Sequence, residues 1–134
     1  EKKEMAVYAF SFNYALEDSG LGILAAITNK NISLDDIQEE FDSQIALIQN
    51  ELISENEFQK IRNSIENDII SSNSSIAGIA ENLANNHVYF GGAELINTEL
   101  DNYLAVTKED IKRVAKTYFT QNNRIILHYL PKEN

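Results

Sequence analysis

The apolar pattern of this chain changes period near Ser33, and that change restricts it to folds that join a small sheet to a set of helices. Before Ser33, Tyr8, Phe10, Phe12 and Tyr14 alternate with Val7, Ala9, Ser11 and Asn13, the two-residue period of a strand. The spacing predicts a strand over 5–14, with the aromatic face packed under helices and the small face shallower. The stretch ALEDSG that follows predicts a turn, with Gly20 free to take positive φ. Residues 21–28 (LGILAAIT) are a nearly continuous apolar run, suited to a strand covered on much of both faces. The two strands suit an antiparallel pair.

From Ser33 the steps become three and four. Leu34, Ile37, Phe41, Ile45, Ile48 and Leu52 fall on one helical stripe, with Ser33 as N-cap and Asp35 and Asp36 at the positive end of the helix dipole. Ser54-Glu55-Asn56-Glu57 reads as a capping box that opens a helix carrying Phe58, Ile61, Ile65 and Ile69. The run 71–75 (SSNSS) has weak helix propensity and predicts a kink or a break. Ile76, Ile79, Leu83, His87 and Phe90 resume helical spacing, and Gly91-Gly92 ends that helix. A shorter helix is expected over 93–104. Thr107 caps a last one with Ile111, Val114, Ala115, Tyr118 and Phe119 on one face. Residues 124–130 (RIILHYL) have the β-branched and aromatic character of a closing strand, ended by Pro131. The coarse order is β-β-α-α-α-α-β, an α+β fold with a small antiparallel sheet and helices packed on one face.

Composition removes whole classes of function. The chain has 134 residues, a length for one domain, and 43% hydrophobic residues, enough to fold around a core. Its 11 basic residues stand against 21 acidic ones, for a formal net charge of -10. That balance argues against nucleic acid, whose phosphates need clustered Lys and Arg, and against a polybasic membrane patch; the pair Lys2–Lys3 is too short for a targeting signal. No apolar run reaches the roughly 18–20 residues that span a bilayer. With no cysteine, disulfides, thiolate nucleophiles and Cys-based metal sites are excluded.

The remaining chemistry is sparse. His87 and His128 have no partner histidine at ligand spacing, and each reads as a structural histidine in an apolar setting. Glu39–Glu40, Glu55 and Glu57 read as solvated-face and capping carboxylates. The serines of 71–75 lack the strand–turn–helix context of a nucleophile, and Gly91-Gly92 has neither a leading strand nor a following lysine for a phosphate loop. The helices have acidic polar faces, which suits core helices rather than membrane-surface ones. The expectation is that this chain holds no catalytic, substrate-binding or metal-ligating residue of its own.

Five strings in order, YALEDSGLGILAAIT, ISENEFQKIRNSIEND, SSIAGIAENLANNHVYFGG, LINTELDNYLAVTKEDIKRVAKTYFT and NRIILHYLP, resemble the C-terminal part of one domain of the insulinase/pitrilysin-type zinc metallopeptidases, the M16 family. The resemblance runs from about Met5 to Pro131 and is nearest to the bacterial members. It implies that residues 1–134 are most of one LuxS/MPP-like metallohydrolase domain, a fragment of a longer parent. In that parent a zinc-bound water attacks the peptide carbonyl with a glutamate as general base. The family holds zinc with an HxxEH motif and a distal glutamate, and nothing in this chain matches either, so zinc is implied for the parent and none for this chain. The family also uses an Arg and a Tyr at the start of the strand resembling 5–14. Matching the strand puts the Arg just before Glu1 and the tyrosine position on Val7. Tyr8, one residue later, would substitute only through a register shift or a bulge, and it is read instead as a member of the aromatic face.

The resemblance therefore implies a scaffold and cavity-wall segment, inactive alone, with the remaining parent domains as partners and a peptide as the parent's substrate. The alternative is a non-catalytic M16-like partner or scaffold subunit that binds peptide or a sister chain. A periplasmic or cell-envelope location is expected from the bacterial members. If early strands of the domain are missing, Phe10 and Phe12 should stand uncovered, and a homodimer through the exposed sheet edge is expected.

Overall fold

A computed structural model describes residues 4–130; Lys2–Lys3 and Pro131 lie outside the described residues. The chain is α+β, with a two-stranded antiparallel sheet and five α-helices among the described residues. Two compact units divide it. One combines the chain up to Asn50 with the chain from Arg113 onward, and the other is Glu51–Lys112.

In the first unit, β1 (Ala6–Ala15) and β2 (Gly20–Thr28) pair in one register except at a bulge between Ala6 and Tyr8. The amide of Leu16 donates to the Ser19 carbonyl at 2.8 Å, closing the hairpin. Gly20 does not take positive φ as expected; of the glycines only Gly91 does. Gly20 is required for approach instead, because a Cβ there would lie 2.9 Å from the Tyr14 carbonyl oxygen. Cross-strand partners Tyr8↔Ile27, Phe10↔Ala25, Phe12↔Ile23 and Tyr14↔Leu21 share one face, and Ala9↔Ala26, Ser11↔Leu24 and Asn13↔Gly22 share the other.

The faces are used the opposite way round from the sequence expectation. Helix α1 (Leu34–Asn50) lies over the small face, where Ala6, Ala9 and Ala26 meet Ile37 and Phe41. A Cβ on Gly22 would sit 3.7 Å from the Phe119 ring, so that ring occupies the other end of the same face. Small side chains admit a close helix; a row of rings holds one off. The aromatic face is exposed, as are Leu21 and Ile27 beside it, and the small face is covered only in part, since Ala9, Ser11, Asn13 and Leu24 are exposed as well.

Helix α1 starts where expected. Ser33 Oγ accepts from the Asp36 amide (3.0 Å) and the Asp36 carboxylate accepts from the Ser33 amide (3.0 Å), a reciprocal cap. Its Gln49 amide donates to the carbonyls of Ala115 (3.1 Å), which also accepts the Phe119 amide, and of Phe119 (2.8 Å), fastening α1 to the C-terminal end of α5 (Lys108–Tyr118). Beyond a short 3₁₀ turn (Gln121–Asn123) the backbone is extended at Arg124, and residues 124–130 join no strand ladder among the described residues. The closing strand is thus corrected to an exposed irregular segment, tethered by an ion pair from Arg124 to Asp42. Its composition suits a strand, yet a strand needs an edge to pair with, and no ladder reaches this one.

In the second unit, α2 (Glu55–Ser72) opens on the expected box: Ser54 Oγ accepts from the Glu57 amide at 3.2 Å and the Glu57 carboxylate accepts from the Ser54 amide at 3.3 Å. The run 71–75 is a break, not a kink, so the helices number one more than the expected order. Ser75 then caps α3 (Ile76–Phe90) by accepting from the Gly78 amide. Gly91 ends α3 in the left-handed region at φ 81. The helix expected over 93–104 divides into a 3₁₀ segment (Ala93–Asn97) and α4 (Glu99–Leu104). Thr107 and Asp110 form a third reciprocal cap at the start of α5, each side-chain oxygen accepting from the other's amide at 3.1 Å.

Burial is thin. Among the described residues, the buried hydrophobic ones are Ile37, Phe58 and Ala115, while Phe10, Phe12, Ile76, Phe90 and Leu127 are exposed. Hydrophobic content that suits a core is here largely spent on surface awaiting cover.

Candidate functional site

The first unit has one groove worth testing as a site. It lies between the small face of the sheet and α1, with a volume of about 480 Å³, lined by Met5, Ala6, Ala9 and Ala26 on one side and Ile37, Glu40, Phe41 and Gln44 on the other. The Gln44 amide donates to the Glu40 carboxylate at 3.0 Å. Glu40 was expected on a solvated face; it is half-buried, because α1 turns that residue toward the sheet. One carboxylate held by an amide within apolar walls can seat an apolar side chain. It supplies neither a nucleophile–base pair nor converging metal donors.

A second concavity, also about 480 Å³, belongs to the second unit and is lined by Asn73, Ile79, Leu83, Ala93, Glu94, Ile96 and Asn97. Asn82 donates to the Asn73 side-chain oxygen at 2.9 Å, fixing the end of α2 against α3. Among its lining residues Asn73 is thereby engaged at the helix break.

Both histidines depart from expectation. His87 and His128 are exposed, not set in apolar surroundings. The stripe of α3 that should have enclosed His87 contains no buried residue, and His128 lies in the unpaired segment. Among the described residues no group of three or more His, Cys, Asp and Glu is placed to hold a metal ion. The donor set present does not fit a zinc centre.

The carboxylates that stand out do so as caps. Hydrogen bonds from the Ser33 side chain and amide hold Asp36 below its usual pKa. Glu55 is lowered by the Gln59 side-chain amide first and by Lys108 second, whose ammonium is 2.9 Å away. Both are solvent-facing, and their shifts report helix starts rather than catalysis.

Tyr8 lies immediately after the bulge in β1, and its ring centroid is 5.4 Å from that of Phe10. It belongs to the aromatic face, as read from the alternation. The bulge is a local feature that alternation alone does not reveal, since one extra residue leaves the spacing of Tyr8, Phe10 and Phe12 intact.

No helix among the described residues is long and apolar enough to cross a membrane. No family model matches the chain. The chain is 28% identical over 133 residues to the zinc protease PqqE of Helicobacter pylori (strain ATCC 700392 / 26695), which covers 95% of this chain and 29% of that protein. The crystal structure of a protease from Helicobacter pylori superposes with a TM-score of 0.80 at 26% identity, over 91% of this chain and 29% of that one. The chain therefore spans less than a third of the length of either relative. The likeness to a zinc peptidase-like family read from the sequence holds over most of the chain, at low identity.

Proposed function

We propose that this chain is a framework segment of an M16-like zinc-dependent endopeptidase, supplying scaffold and cavity wall while the metal donors lie elsewhere in the whole protein. The observation that carries the reading is the likeness to a zinc protease along 95% of this chain, confined to 29% of the relative. A segment that matches so small a share of a protease can carry fold without carrying the reactive groups.

Within that reading, α1 lies over the sheet in the first unit, reciprocal caps secure the starts of α2 and α5, and the Glu40 groove is a wall with apolar character. Peptide hydrolysis is proposed of the whole protein, with its other domains as partners, and a periplasmic or cell-envelope location is part of the same proposal. The test is the longer reading frame that encodes these residues. An HxxEH motif followed by a distal glutamate outside residues 1–134 is the expected finding. A frame lacking both would replace the peptidase by a non-catalytic partner subunit.

A further inference from the structure

We draw no further inference here: the strongest candidate, the exposed aromatic face of the β1–β2 sheet made by Tyr8, Phe10, Phe12 and Tyr14, carries nothing because nothing in the structure shows what covers it.

Discussion

The helix starts and the strand segments of this chain respond differently to equally clear sequence signals. Ser33/Asp36, Ser54/Glu57 and Thr107/Asp110 each close a reciprocal cap within four residues, using only their own amides and side chains. The aromatic row of β1 and the RIILHYL segment carry strong strand patterns, yet the row is open to solvent and the segment has no ladder. A cap is a local bargain that needs nothing from the rest of the molecule. A strand is complete only when an edge and a cover are supplied. Local signals are therefore realised inside these residues, and the non-local ones wait for a partner.

Side-chain truncation should expose that contrast most sharply. Phe58, buried at the start of α2 beneath the Arg62 guanidinium, should cost about 3–4 kcal/mol on Phe58→Ala. Ile125 is 95% exposed, so Ile125→Ala should change stability by no more than ~0.5 kcal/mol. Urea unfolding of the two variants gives the comparison, and equal losses would erase it. Ile65→Ala is expected between them at about 2 kcal/mol, because Ile65 is half-buried and its helical neighbour Ile61 is exposed.

The caps should follow at about 1 kcal/mol each for Ser54→Ala and Thr107→Ala in the same denaturation series. A cap loss exceeding that of Phe58→Ala would mean that the helices depend on their ends more than on their buried face.

Acid titration gives the smallest effect. Asp36 and Glu55 have folded-state pKa values lowered from the usual ones, so their contribution is present above the unfolded values and is lost as pH falls through the folded ones. Wild type should therefore exceed Asp36→Asn in stability near neutral pH, and the gap should close below pH ~4. A gap that persists in acid would show that the Asp36 charge is not what secures the start of α1.

Legibility follows the same division. The three caps, the weakness at 71–75 and the Gly91 stop could be read because each depends on residues three or four apart. The faces of the sheet could be told apart by alternation, but which face a helix would cover could not. That choice rests on how closely α1 and Phe119 approach Ala26 and Gly22, and rings at Phe10 and Phe12 make approach from their side harder. The 124–130 segment shows its strand character in composition, whereas its pairing depends on an edge that the described residues do not offer. At the site level, the lack of ligand spacing around His87 and His128 was visible in the sequence. The half-buried Glu40 was not, since only the placement of α1 over the sheet turns it inward.

The account centres on a framework whose metal chemistry lies outside these residues, and titration of the 134-residue chain with zinc, followed by a quenched-peptide assay with and without chelator, tests it most directly. The account predicts no stoichiometric binding and no chelator-sensitive cleavage. One-to-one binding at micromolar affinity, abolished by both His87→Ala and His128→Ala, would contradict it.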